Sequence, residues 1–323
     1  MRVVFMGTPD FSVGTLEAVI KAGHEVAAVV TQPDKPKGRG GAVSMSPVKE
    51  AALKHSLTVL QPQKARDEAF ISELKSYEPD VIVVVAFGQF LPSEIIDMPK
   101  YGCINVHASL LPKYRGASPI QWAVIDGCEY SGVTTMQMSA DGIDTGDILL
   151  ERKVKLDKKE TGGSLFDKLS GVGAELLVET LEAAEKGTLK PVKQNDGEST
   201  YVKMISKSFG EIDFTKSAVQ IERLIRGLNP WPSAFTYLDG KILKIWDADV
   251  YSEEEAVSIY PDKAEDIRSV SVGSIAAAAK DTFLIRCGEG LLKVNEVQLE
   301  GKKRMSADAF MRGCKLEAGK QLQ

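Results

Sequence analysis

An amide and an imidazole two residues apart, Asn105 and His107, stand in the run Ile104-Asn105-Val106-His107-Ala108-Ser109-Leu110-Leu111-Pro112. Side chains two apart on a β-strand share a face, so these polar groups point one way while Ile104 and Val106 point into packing. An amide N–H beside an imidazole suits a carbonyl oxygen that gains negative charge during a reaction. A turn follows His107, and ligands of open α/β sheets bind beyond the carboxyl ends of strands. A structural Asn–His pair that caps a strand end satisfies the same spacing, so residue types alone leave both readings open. The other histidines, His24 and His55, fall in turns ahead of strands and read as structural.

A second polar cluster is Asp141-Gly142-Ile143-Asp144-Thr145-Gly146-Asp147. The bidentate Glu of an EF-hand calcium loop does not follow at the required spacing. Either these are solvated turn residues, or one carboxylate meets His107 across a crevice and takes up a proton. The turn Phe5-Met6-Gly7-Thr8-Pro9-Asp10-Phe11 has one of the three glycines of a dinucleotide fingerprint, and Pro9 removes an amide. A nicotinamide cofactor is therefore disfavoured there. The segment 31–41 is longer than the ~2–6 residues usual for a strand–helix connection. It carries Lys35, Lys37 and Arg39 with no acid between them. Such a loop is either solvated or a phosphate-backbone contact. Cys103, Cys128, Cys287 and Cys314 are scattered without a Cys-x-x-Cys pair, so reduced thiols and no metal site are expected.

The elements that must hold these residues alternate in type. Strand-like runs at 1–6, 25–31, 57–60, 80–87 and 102–107 are separated by helical patterns at 11–22, 47–54 and 65–76, with another at 119–126. The Val/Ile-rich run at 80–87 reads as a central parallel strand covered on both faces. This alternation predicts a doubly wound α/β domain with a mostly parallel sheet. Two further strands, 132–138 and 148–156, precede a long amphipathic helix at 161–186, with Gly187 just past its end. Apolar periodicity fades over 188–207, the candidate linker. Beyond it, one helix and five short strands, with a hairpin signal at Asp239-Gly240, predict a small β-barrel of the oligonucleotide-binding type. The expected division is a domain 1–187, a linker 188–207 and a domain 208–323.

Composition bounds the class. The 323 residues suit about two domains. The longest apolar run, Val81 to Phe87, is far below the ~20 residues of a membrane span. The first residues lack a signal-peptide core, so a cytoplasmic protein with no membrane partner is expected. The net charge of −5 argues for no polyanion by itself. Yet six acids and one lysine are concentrated in 252–266, and the remainder of 208–323 holds 15 basic residues against 12 acidic ones. A modest basic surface is therefore available there.

Together, Gly7-Thr8-Pro9-Asp10-Phe11, Thr31-Gln32-Pro33-Asp34, Ala86-Phe87-Gly88, the Asn105–Pro112 run, Tyr114-Arg115-Gly116, Asp144-Thr145-Gly146-Asp147 and Asn229-Pro230-Trp231-Pro232 resemble the bacterial methionyl-tRNA formyltransferases. The motifs occur in that family's order and span nearly the whole chain. The resemblance implies a Rossmann-like catalytic domain joined to an oligonucleotide-binding-type barrel, with 10-formyltetrahydrofolate as formyl donor and no metal. It implies a catalytic role for Asn105, His107 and Asp144. It places Phe87, Gly88, Ser109, Leu110, Leu111 and Pro112 at the folate site. It assigns Arg39, flanked by Lys35 and Lys37, to the acceptor end of initiator methionyl-tRNA. Among the C-terminal cations, Arg223, Arg226, Lys302, Lys303 and Arg304 are the expected phosphate contacts, and a monomer is expected. The shared His-x-Ser-Leu-Leu-Pro core alone leaves open formyl transfer to another amine, such as an amino sugar nucleotide, and hydrolysis of the formylfolate. A non-catalytic RNA-binding module is the alternative of another class. The acidic stretch 252–266 matches no motif of the family.

Overall fold

The computed structural model of the protein describes residues 1–37, 42–279 and 281–322. Two compact units emerge. The first comprises Met1–Pro119, Tyr130–Lys155 and Phe166–Lys203; the second comprises Ile120–Glu129, Leu156–Leu165 and Met204–Gln323. The segment expected as a linker thus divides at Lys203, with 188–203 belonging to the first unit.

The strands of the first unit are β1 (Arg2–Gly7), β2 (Glu25–Val30), β3 (Lys35–Lys37), β4 (Ala42–Ser44), β5 (Val59–Leu60), β6 (Val81–Val85), β7 (Cys103–His107), β8 (Arg115–Gly116), β9 (Tyr130–Gln137), β10 (Ile148–Lys155) and β11 (Tyr201–Val202). Seven of them form one sheet in the order β10-β9-β7-β6-β1-β2-β5. It is parallel from β7 to β5, while β9 and β10 add antiparallel pairs. The chain leaves β1 in one direction to β2 and β5 and in the other to β6 and β7. The crevice between β1 and β6 is therefore where this topology places a ligand.

Helices α1 (Phe11–Lys21), α2 (Pro47–Lys54), α3 (Glu68–Ser76), α4 (Ser93–Ile96), α5 (Pro119–Ile125) and α6 (Gly162–Glu185) alternate with these strands. The local chemistry fixes their starts. Ser46 accepts from the Lys49 amide as an N-cap, with Pro47 at the first helical position. Asp10 accepts from the Phe11 amide. Every residue of β6 is buried, as a strand covered on both faces requires. One face of the sheet, through Val4, Met6, Ile82, Val84 and Cys103, joins Phe70 and Leu74 of α3 and Ile95 of α4 in a core. Asn105 and His107 continue the Cys103 face of β7 past the edge of that core. Ile104 and Val106 face the other way, and a Cβ on Gly173 of α6 would lie 3.1 Å from Val106 Cγ1.

Where a plain loop was expected, β3 and β4 pair as an antiparallel hairpin, Lys35 with Ser44 and Lys37 with Ala42. The small β8–β11 sheet was not foreseen either.

The second unit holds α7 (Ala218–Gly227), β12 (Ala234–Leu238), β13 (Lys241–Tyr251), α8 (Glu253–Ile259), α9 (Ala264–Ser269), β14 (Ile275–Ala278), β15 (Phe283–Arg286), β16 (Leu291–Leu299), β17 (Met305–Ser306) and α10 (Ala307–Gly313). The sheet is antiparallel, ordered β12-β13-β16-β15-β14 with β17 on β16. Register shifts within the 11-residue β13 mark bulges, the device by which a sheet curls toward a barrel. Inward side chains of all the long strands join Ile221 and Ile225 of α7 and Phe310 of α10 in one core. The acidic stretch forms α8 and α9. Ala256 and Ile267 cover the opposite face of the sheet at Ala276, Leu284 and Leu291. Arg286 of β15 ties α8 down through Glu253, 2.7 Å away. After α9 the chain passes through Val270, its C-cap, and a turn with Gly273 at φ +82°, so β14 begins at Ile275.

Candidate active site

At the crevice three loop motifs lock together. Thr8 Oγ1 donates to the Phe87 carbonyl at 2.9 Å, the Gln32 side-chain amide reaches the same carbonyl at 3.3 Å, and the Gln32 N–H donates to Thr8 Oγ1. Gly7 is required there, since a Cβ would sit 2.8 Å from Ser12 Cβ and 2.9 Å from the Phe5 ring. Asp34, at the base of the β3–β4 hairpin, accepts from Lys49 Nζ at 2.7 Å and from Gln61 Nε2 at 2.8 Å. These two partners hold its carboxyl below the usual carboxylate range.

Beyond the end of β7, the polar cluster closes on Asp144. Its Oδ1 accepts from Asn105 Nδ2 at 3.4 Å, and its Oδ2 accepts from the Gly116 N–H at 2.8 Å. Oδ2 also faces His107 Nδ1 at 3.6 Å, within ion-pair range but longer than a hydrogen bond. His107 Nε2 lies 2.9 Å from the Tyr114 carbonyl. A carbonyl only accepts, so Nε2 carries a proton. Both side chains of the pair are nearly enclosed, His107 at 8% and Asp144 at 11% exposure. The asparagine, imidazole and carboxylate expected from sequence therefore do meet, and Asp144 is the one of the three acids that does so.

The remaining expected residues divide by environment. Phe87 is buried and its ring belongs to the core beside β6, while Gly88, at φ +85°, is exposed. Ser109 is buried and spends its hydroxyl on the Lys113 carbonyl at 2.7 Å, closing its own turn. Thr134 of β9 pins that turn from below, donating to the Ser109 carbonyl and accepting from the Leu111 N–H. Leu110 packs where a Cβ on Gly132 would be, Leu111 is buried and Pro112 half-buried. Lys35 is exposed on the hairpin. Arg39 lies outside the described residues, as does the side chain of Lys37. Arg226 chelates Glu222 and donates to the Glu160 carbonyl at 2.8 Å, so its guanidinium is already engaged. Arg223 lies against Gly127. Arg304 pairs with Glu296 and covers the Trp246 ring at 4.8 Å. Lys302 and Lys303 are exposed.

Two features fit a flat, partly apolar heterocycle. Phe90 and Ile143, in the loops that bear Gly88 and Asp144, are 77% and 40% exposed. Beside Asp144, the buried Thr145 hydroxyl has no partner among the described residues, and an orphaned group of this kind suits a ligand's polar edge. A separate concavity of about 550 Å³ opens at the other end of β7, around Lys100, Gly102 and Gln137, and none of the residues expected at the folate site lines it. Among the described residues, no three His, Cys, Asp or Glu side chains converge as metal ligands would.

The chain matches the formyl transferase family model over residues 1–181 and the formyl transferase C-terminal domain model over 204–315. The chain belongs to the formyltransferase family. Its relatives include the methionyl-tRNA formyltransferase of Lachnospira eligens, 69% identical over 322 residues, covering all of this chain and 99% of that one. That of Clostridioides difficile is 48% identical and covers 99% of each chain. Among solved structures, the sugar 3N-formyl transferase WlaRD superposes with a TM-score of 0.65 at 18% identity, over 94% of this chain and 99% of that one. HypX from Aquifex aeolicus gives 0.62 at 17% identity over 98% of this chain and 49% of its own. Both share the fold.

Sequence reasoning passed over the residues that hold Asp144. Tyr114, Arg115 and Gly116 stood out as a motif without a role. Gln194, which meets the Asp144 loop, lay in the segment expected to be a linker. A single glutamine in a stretch without periodicity gives no sequence signal.

Proposed function

We propose that this protein transfers a formyl group from 10-formyltetrahydrofolate to the α-amino group of methionine on initiator methionyl-tRNA, preparing that tRNA for translation initiation. The observation that carries the reading is the convergence of Asn105, His107 and Asp144 in a chain that matches methionyl-tRNA formyltransferases from end to end. The donor supplies a formyl carbon on nitrogen, and attack by a neutral amine puts negative charge on the formyl oxygen. Asn105 offers its amide N–H and His107 its Nε2–H to that oxygen, the latter in place of the Tyr114 carbonyl that now accepts it. Asp144, against Nδ1, takes the proton that the amine gives up. One carbon–nitrogen bond forms, one breaks, and the folate nitrogen ends with the proton. Phe87, Gly88 and the Ser109–Pro112 turn frame the donor, and the exposed Phe90 and Ile143 give its ring apolar company.

The segment with Lys35, Lys37 and Arg39 takes the acceptor end. Lys302, Lys303 and Arg304, with Arg223 in support, meet phosphates along the tRNA, while Arg226 stays on Glu222 and the Glu160 carbonyl. The enzyme works in the cytoplasm as a monomer, without a membrane partner. Among the described residues no helix is long and apolar enough to cross a membrane.

The test is transfer of labelled formyl to charged initiator tRNA against charged elongator tRNA and a free amino sugar nucleotide. Label on initiator tRNA alone supports the reading, and preference for the sugar overturns it. Arg39→Lys then isolates that segment. Its initiator-tRNA rate falls while formylfolate binding is kept, because lysine lacks the planar fork of arginine.

A further inference from the structure

Asp144 sits at φ +54°, a left-handed conformation that Asp adopts more readily than most L-residues but still at some cost in free energy. Two grips hold it there. The carboxylate is held by the Gly116 N–H at 2.8 Å. The backbone is held by Gln194, whose Nε2 donates to the Asp144 carbonyl at 2.8 Å and to the Gly146 carbonyl at 2.7 Å. Gln194 Oε1 in turn accepts twice from Arg115, from Nε at 3.0 Å and Nη2 at 2.8 Å. A primary amide has two donors and two acceptor sites, and Gln194 uses all four while only 7% exposed. Its rotamer is thereby fixed. Arg115 is equally buried, and its Nη2 continues to Asp196 at 2.7 Å.

Both grips are anchored in the same stretch of chain. Residues 200–202 lie alongside Pro112–Ala117. Thr200 Oγ1 accepts from the Tyr114 N–H at 2.8 Å, the Thr200 carbonyl accepts from Arg115 N–H, and Val202 accepts from Ala117 N–H. A stretch of low periodicity therefore braces the loop that faces the imidazole.

We propose that Gln194 is a positioning residue for Asp144, locked by Arg115 and setting the reach of the carboxylate to His107 and Asn105. This rests on the catalytic reading of Asp144 given above. A misplacement of about 1 Å at a reacting group costs on the order of 100-fold in rate. Gln194→Met keeps the length and removes the donors, so its kcat should fall roughly 10- to 100-fold. KM for formylfolate and for tRNA should stay within about twofold, since no substrate contact is removed. Gln194→Glu retains oxygens for Arg115 but lacks both donors, and should be as slow as Gln194→Met. Arg115→Lys, which lacks the double contact to Gln194, should be slow in the same way.

The deciding comparison is Gln194→Met in an Asp144→Ala background, where it should cause no further loss. A loss of equal factor in both backgrounds overturns the inference, as does rescue of turnover by Gln194→Glu. Normal kcat in Gln194→Met beside a large loss in Asp144→Ala overturns it alone. Near-normal turnover of Asp144→Ala overturns the catalytic reading, and this inference with it. If Gln194→Met folds poorly, the same cycle is run with Arg115→Lys, and the same outcomes decide.

Discussion

Replacing Gly116 with alanine should disconnect Asp144 from its amide donor while leaving every proposed catalytic side chain in place. The residue has φ +95°, and a Cβ there would lie 2.6 Å from the Val202 carbonyl oxygen and 2.8 Å from the Tyr201 ring. Left-handed backbone costs an L-residue ~1–2 kcal/mol. A contact of 2.6 Å with a backbone carbonyl cannot be kept, so β11 must move away from β8 and lose the Ala117 N–H to Val202 bond, worth ~0.5–1.5 kcal/mol net. Relief comes most readily by shifting the 115–117 backbone, which carries the amide that donates to Asp144. A hydrogen bond to a charged group contributes ~1.5–3 kcal/mol, and about 1.4 kcal/mol is tenfold in rate at 25 °C. Gly116→Ala should therefore lose roughly 10- to 100-fold in kcat. The assay is single-turnover transfer of labelled formyl to charged initiator tRNA, paired with thermal unfolding to show that the protein remains folded. Turnover at the unmodified rate in a folded Gly116→Ala protein would refute the claim that this amide holds the carboxylate.

Alanine at Asn105, His107 or Asp144 should each cost at least ~100-fold in turnover, and the triple variant little more than the worst single one; additive losses in the same transfer assay would show three independent roles. Lys302→Gln with Lys303→Gln should raise KM for tRNA and shallow its salt dependence by about one to two counterions, leaving kcat alone; an unchanged salt slope marks both as ordinary surface charges. His24 is held below its ordinary value by burial and then by the Met1 ammonium, against the pull of Glu185 and Glu182. The unfolded chain therefore takes up the proton first. Its contribution to stability is complete at neutral pH and is lost as pH falls through the ordinary histidine range. His24→Asn should flatten the decline in Tm between about pH 7.5 and pH 5.5, and an equally steep decline would assign it to other groups.

The first unit was legible because its signals are local. The buried Val81–Val85 run, the Ser46-Pro47 helix start and the Asn105/His107 spacing each announce one element, and the elements formed where expected. Asp144 could be singled out from its two neighbours only through the family likeness, since its meeting with Asn105 spans 39 residues of chain. Gln194 was illegible for the same reason, as its partners stand 79 and 50 residues away. Arg226 illustrates the reverse. It was expected, with Arg223, to contact phosphate, but a carboxylate one turn earlier on α7, Glu222, already chelates it. In 252–266 the acids drew notice and the apolar Ala256 did not, although Ala256 and the adjoining Ile267 dock this region as helices.

Those helices have a consequence for how the second unit meets a polyanion. A sheet has two sides, and α8 and α9 cover one of them with a segment bearing six carboxylates against Lys263 and Arg268. A phosphate approaching that side would meet net negative charge, felt over about 10 Å at 0.1 M salt. Encounters in that orientation would be disfavoured before contact, while the cations elsewhere in the unit would remain available to others. The acidic face would then act on the rate and orientation of capture rather than on the strength of the hold. Its removal would let RNA bind from either side, many of the added encounters leading nowhere.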